Sequence, residues 1–291
     1  MGSAVDIKPV WFITGCSTGL GRALAQRVLE HGHRAVATAR NPMQLDDLVS
    51  AYPRATLSVA LDVADAAQVS AAVSQAEQAF GRIDVLVNNA GYGYLAAVEE
   101  GEDDEVRAMF ETNFFGLVAL TKRVLPGMRT RGAGHIINIS SVGGFIGNPG
   151  GGYYNATKFA VEGLTEALAK EVKPLGIRVT AVEPGPFRTD WAGRSLKQAR
   201  HAIAAYAITA GARRAEIAGR SGKQPGDPTR AADAIIQVVE CTDPPLNLIL
   251  GHDGLTRVRA KLRDLVASID KWEAVTVGAD FPVQTPSPEH K

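Results

Sequence analysis

Two cysteines, Cys16 and Cys241, are all that 291 residues contain. That excludes a disulfide framework and fits a reducing, cytoplasmic setting. Neither charge sign is in excess, because 31 Lys and Arg balance 31 Asp and Glu. No global field therefore recruits nucleic acid or an anionic membrane. No apolar run reaches the roughly 18 residues a membrane-spanning helix needs, and residues 1–9 lack the apolar core of a signal peptide. The chain opens Met-Gly, but Asp6 stands where a myristoylation signal needs Ser or Thr. The histidines, His252 included, show no metal-ligand spacing, so no catalytic metal is expected. The expected partner is a small molecule.

What is present is a rhythm. Short, almost unbroken apolar runs occupy residues 10–14, 34–38, 56–61, 85–88, 135–140, 177–183 and 247–250. Strands buried on both faces look like this. Longer amphipathic stretches lie between them, at 20–31, 66–80, 103–129 and 154–174 among others, and Gly32, Gly81, Gly132 and Gly176 stand at or just past their ends as helix caps. Such alternation predicts an α/β fold: one doubly wound parallel sheet with helices on both faces. No repeat or internal linker appears, so 1–291 reads as a single domain. Residues 187–227, rich in Ala, Arg and Gly without a strand-like run, read as an inserted substrate lid. The tail at 278–291, with three prolines, reads as mobile.

Chemistry gathers where runs end. Thr14-Gly15-Cys16-Ser17-Thr18-Gly19-Leu20-Gly21 follows the first strand and opens a helix. Glycines there permit a tight turn and close approach of a pyrophosphate to helix N-terminal amides. The spacing is Gly-x-x-x-Gly-x-Gly rather than the common dinucleotide fingerprint. Gly15, Ser17, Thr18, Gly19 and Leu20 are the candidate contacts. The second strand ends Thr38-Ala39-Arg40, with no carboxylate to hold ribose hydroxyls. A guanidinium suits a 2′-phosphate, so NADP is expected over NAD, with Ser17 adding a hydroxyl. Asp62, followed by Val63, either meets the adenine or caps the helix that begins near Asp65. Asn88-Asn89-Ala90-Gly91 ends the fourth strand; Asn89, Ala90 and Gly91 let a cofactor lie close or form a plain turn. Asn113 is a polar residue inside an apolar helical stretch, and Ser140-Ser141 follows the fifth strand.

Tyr154 and Lys158 are the strongest pair. At i and i+4 they share a helix face. A positive charge about 4 Å from a phenol is worth roughly 4 kcal/mol at an effective dielectric of about 20. That would lower the phenol by up to roughly three pK units, enough for a general acid/base. Tyr153 adjoins Tyr154 but lacks the spacing to Lys158.

Taken together these residues resemble the short-chain dehydrogenase/reductase family. The Thr14–Gly21 pattern, Asn88–Gly91, Asn113, Ser141, Tyr154-x-x-x-Lys158 and Pro184-Gly185 followed by Thr189 occur in the family's order, with Ser141 thirteen residues before Tyr154. The specific likeness runs over roughly residues 8–190. The strings after Ser141 and Glu183 are most similar to the retinol- and hydroxysteroid-dehydrogenase branch. The resemblance implies strand order 3-2-1-4-5-6-7, with Tyr154 as acid/base and Lys158 lowering its pKa and holding the nicotinamide ribose. It further implies Ser141 on the reacting oxygen, Asn113 supporting a proton relay, and Pro184, Gly185 and Thr189 beside the nicotinamide. Glu183 reads as structural. A homodimer or homotetramer through helices 103–129 and 154–174 is expected on the same ground. The implied activity interconverts a secondary alcohol and a ketone or aldehyde. A non-catalytic NADP-binding sensor would have no need of all four of Asn113, Ser141, Tyr154 and Lys158. The glycine spacing and modest C-terminal portion disfavour a nucleotide-sugar epimerase or dehydratase.

Overall fold

The computed structural model describes residues 8–281. Seven strands form one parallel sheet: β1 (Val10–Ile13), β2 (Arg34–Ala39), β3 (Thr56–Ala60), β4 (Val85–Asn88), β6 (Gly134–Ile139), β7 (Ile177–Pro184) and β9 (Asn247–Leu250). Their order across the sheet is β3-β2-β1-β4-β6-β7-β9. Counted along this sheet alone, that is the expected 3-2-1-4-5-6-7. Two additional three-residue strands, β5 (Gly93–Leu95) and β8 (Leu196–Gln198), pair with each other outside it. β8 falls inside 187–227, where no strand was expected; its Leu-Lys-Gln is too short and too polar to signal one.

Alternation along the strands divides the core. Trp11 and Ile13 of β1 face one side with Ala35, Ala37, Val85 and Val87. Leu24, Ala25 and Val28 of α1 (Gly19–Glu30) and Ile235, Ile236 and Val239 of α8 (Pro228–Glu240) cover that side. Val10 and Phe12 face the other with Val36, Leu86 and Ile136. There they meet α3 (Ala66–Phe80), α5 (Gly116–Arg131) and α6 (Gly152–Val172) through Val73, Leu120, Val124 and Leu168. β1 is thus apolar on both faces, as a buried parallel strand must be. The remaining α-helices among the described residues are α2 (Asp46–Ala51), α4 (Asp103–Phe110), α7 (Ala212–Arg220), α9 (His252–Lys271) and α10 (Glu273–Val277).

The helix expected at 103–129 is not uniform. It runs as α4, a π-helical turn over Glu111–Phe115, and α5, which ends at Arg131. The π turn admits an extra residue, a local irregularity often found at functional sites. The expected lid contains β8, a second π-helical turn (Ala207–Gly211) and α7. Most of the expected tail, residues 282–291, lies outside the described residues.

Gly81, Gly132 and Gly176 cap their helices in the left-handed conformation. Gly176 has φ +73°, and a Cβ there would stand 2.2 Å from the Gly132 carbonyl oxygen. Gly176→Ala is therefore expected to lower the unfolding free energy by about 1–3 kcal/mol in urea denaturation, through backbone strain and this clash.

Candidate active site

Because all seven strands run the same way, their C-terminal ends share one edge. A cavity of about 920 Å³ opens along that edge. All the candidate cofactor residues, from Gly15 to Thr189, line it, and so do Ser141, Tyr154 and Lys158. Asn113 alone among the candidates stands one layer behind.

The glycine loop is clasped to the end of β4. Thr14 Oγ1 accepts from the Asn89 and Ala90 amides, each at 2.8 Å, and Asn89 Nδ2 donates to the Thr14 carbonyl at 2.7 Å. Asn89 thus bridges two backbone turns. Gly15 and Gly19 both adopt positive φ, and a Cβ on Gly21 would stand 2.3 Å from Asn89 Nδ2. Thr18 precedes α1 without a side-chain cap, which leaves the helix amides available to an anion. Cys16, inside this loop, is an inert structural thiol: burial pushes its pKa up to about 12.

Arg40 projects at the end of β2, exposed, with no hydrogen bond or ion pair among the described residues. Asp62 does not cap a helix. Asp65 does so, accepting from the Ala67 and Gln68 amides. Asp62 Oδ1 accepts from the Ala64 amide and Asp62 lines the cavity, so the helix-cap reading of this residue falls.

Ser141 ends the β6 side of the cavity, its Oγ accepting from the Gly143 amide at 3.0 Å. Asn155, which sequence reading passed over, secures this loop. Its Nδ2 donates to the Gly143 carbonyl at 3.0 Å, and its Oδ1 accepts from the Asn148 amide at 2.9 Å. Its only signal was a polar residue beside Tyr154 in an otherwise helical run. Trp191 packs on Tyr154 with ring centroids 5.3 Å apart.

Lys158 is buried and donates to the Ile139 carbonyl at 2.8 Å; its Nζ lies 5.8 Å from the Tyr154 ring centroid. Burial pushes its pKa down to about 8, while the Glu162 carboxylate one turn along α6 pulls the other way. Tyr154 departs from expectation. Burial pushes the phenol up to about 12, and the Ser141 hydroxyl opposes this only in part. The sequence shows the i, i+4 spacing but not the water that burial removes.

Asn113 sits in the π turn, buried. Its Oδ1 accepts from the Tyr92 amide and its Nδ2 donates to the Tyr92 carbonyl, both at 2.9 Å. Gly91 separates it from Lys158: a Cβ there would stand 3.1 Å from Asn113 Oδ1 and 3.8 Å from Lys158 Nζ. Tyr92, Phe187 and Trp191 also line the cavity, whereas Tyr94, in β5, is buried and donates to Glu102. His31, His33 and Glu240 come within 4.8 Å of one another, but at the end of the sheet where strands begin, away from the cavity.

With this geometry, known proteins supply the context. The sequence profile described as short chain dehydrogenase matches residues 9–200. The chain belongs to the short-chain dehydrogenase/reductase family. Oxidoreductase BOA17 of Botryotinia fuckeliana is 41% identical, over 93% of this chain and 98% of its own. The crystal structure of a short-chain dehydrogenase from Streptomyces avermitilis superposes with a TM-score of 0.89 at 41% identity, over 94% of this chain and 100% of that one. A metagenomic short-chain oxidoreductase solved in complex with NADP superposes at 0.65 with 27% identity, over 83% and 96%. The family assigns this chain to NAD(P)-dependent dehydrogenases and reductases acting on small molecules.

Behind Lys158 lies a second buried group. Glu183, at the end of β7, is fully buried, and Asn247 Nδ2 donates to its Oε1 at 2.8 Å and to Glu162 Oε2 at 3.3 Å. Burial, then the neighbouring Glu162 charge, pushes Glu183 up to about 8. The folded chain therefore holds a proton that the unfolded chain releases near 4.5, so this group's contribution to stability is full below about 4.5 and is lost as pH rises through about 8. Glu183→Gln has no proton to lose. Its unfolding free energy is expected to fall less than the parent's between these pH values, by on the order of 1–3 kcal/mol in denaturation at each pH.

Proposed function

We propose that this enzyme is an NADP-dependent oxidoreductase interconverting a secondary alcohol and a ketone or aldehyde. The observation that carries the reading is the meeting of Ser141, Tyr154 and Lys158 in one cavity with Arg40, a cation with no hydrogen bond or ion pair among the described residues, at its nucleotide end.

A nicotinamide dinucleotide fits the residues present. The positive-φ glycines and uncapped α1 amides make a cradle for its pyrophosphate, with Ser17, Thr18 and Leu20 around it. Arg40 and Ser17 would hold a 2′-phosphate. Asp62 and Val63 would flank the adenine. Asn89, Ala90 and Gly91 would pass the middle of the cofactor, and Pro184, Gly185 and Thr189 would border the nicotinamide. The cofactor supplies the hydride when bound.

The chain's own residues handle the oxygen and its proton. Ser141 Oγ, steadied by the Gly143 amide, hydrogen-bonds the reacting oxygen. Tyr154 O–H, kept protonated by its buried setting, donates to that oxygen during reduction and takes the proton back during oxidation. Lys158 binds the ribose and places positive charge beside the phenol, favouring the phenolate when oxidation needs a base. Asn113 holds the Tyr92 backbone, and through it the turn past Gly91 against which Lys158 lies. Residues 187–227 close over the substrate side, where Trp191 packs on Tyr154.

Oxidation of NADPH by a panel of ketones, aldehydes and quinones tests this. Tyr154→Phe is expected to cut kcat/KM by about 10²–10⁴-fold while the Kd for NADPH stays unchanged. Retained turnover in that variant would remove Tyr154 from the mechanism. Arg40→Ala is expected to raise the Kd for NADPH about tenfold or more and leave NADH binding unaltered, an Arg–phosphate ion pair being worth on the order of 1.5–3 kcal/mol. A parent enzyme that prefers NADH overturns the cofactor assignment. Tight NADPH binding without turnover across the panel supports a sensor instead.

A further inference from the structure

Helix α9 leaves the body of the protein. Gly254 and Val258 are buried against it, but from Lys261 onward every described residue is exposed. The helix nonetheless continues to Lys271 and, past Trp272, through α10 to Val277. A projecting helical stretch of this length is marginal in water without packing. This one also carries Leu262, Leu265, Val266, Ile269, Trp272 and Val275 at 46–64% exposure.

Their order is informative. Leu255, Val258, Leu262, Leu265, Ile269 and Trp272 follow at steps of three, four, three, four and three. This is the a/d spacing of a helix that faces another helix. The first two positions are spent on the body, and the last four stay open. Charge along the same helix is segregated. Residues 256–263 carry Arg257, Arg259, Lys261 and Arg263 with no acid, whereas 264–273 carry Asp264, Asp270 and Glu273 against Lys271 alone. Arg259, Lys261, Asp270 and Glu273 make no ion pair among the described residues.

We propose that two copies of this chain pair antiparallel through α9, burying the seam about a two-fold axis near Ala267. A parallel pair would set the basic halves together; the antiparallel pair sets each basic half against an acidic one. In that register Leu262 meets Trp272 of the partner subunit, Leu265 meets Ile269 of the partner subunit, and Arg259 lies opposite Glu273 of the partner subunit. A membrane surface is the weaker occupant, since interfacial helices carry a basic polar face throughout and the outer half of this one is acidic. This surface is separate from the α4–α6 faces through which the family resemblance implied pairing, and it is independent of the cofactor and the reaction.

Sedimentation velocity of the full chain at micromolar concentration tests it, with circular dichroism melting as the folding control. Leu265→Glu/Ile269→Glu is expected to halve the sedimenting mass. Arg259→Glu and Glu273→Arg are each expected to weaken association about five- to tenfold, and the double swap to restore it. In a Cys241→Ser background, Ser268→Cys is expected to give a disulfide-linked dimer on oxidation, because this register places Ser268 opposite its own copy. A mass that Leu265→Glu/Ile269→Glu leaves unchanged, or a double swap that fails to restore association, overturns the proposal. So does loss of phosphatidylcholine-vesicle binding in Leu265→Glu/Ile269→Glu without change of mass, which would assign the seam to lipid.

Discussion

A buried ammonium organises this site. Lys158 spends one of its donors on the Ile139 carbonyl, at the point where β6 ends and the Ser141 loop begins. Desolvating a cation is costly unless it is hydrogen-bonded and faced by negative charge. Ile139 provides the acceptor and Glu162 the nearby carboxyl. With α6 pinned to the sheet there, Tyr154 one turn earlier has little freedom. Asn155 ties the same turn to Gly143 and Asn148. The phenol, the serine loop and the ammonium are therefore parts of one bonded unit, preorganised before any ligand arrives.

A second unit sits across the cavity. Thr14 and Asn89 exchange hydrogen bonds between the ends of β1 and β4, which are sheet neighbours although 75 residues apart in the chain. This clasp explains why glycine is needed at Gly21, where Asn89 leaves no room for a Cβ. It also fixes the turn that aims the α1 amides at the cavity. The parallel sheet brings the two units face to face, because every strand delivers its loop to one edge. The Glu162–Glu183–Asn247 cluster supports the Lys158 unit from below, at the cost of one retained proton.

Much of this was legible in the chain. Strand runs and glycine caps located the seven main-sheet strands, and the motif strings named residues that share one cavity. What escaped was set by neighbours distant in sequence. The π turn at Asn113 has no period of its own. β8 exists only because β5 lies beside it. Asp62 and Asp65 compete for one helix end, and the N-cap geometry, not residue type, selects Asp65. Asn155 looks like an ordinary helix residue until the Gly143 loop is placed against it.

The sequence by itself determined the fold class, the edge of the sheet where chemistry gathers, and the residue types at that edge. Those follow from period, spacing and turn chemistry, which are local. Only the tertiary structure decided the protonation states. Burial raises Tyr154 and Glu183 and depresses Lys158, and burial is a property of everything packed around a group. It also decided which apolar residues are spent. Val258 and Leu262 are indistinguishable in the chain, yet one is packed into the body and the other stands in water.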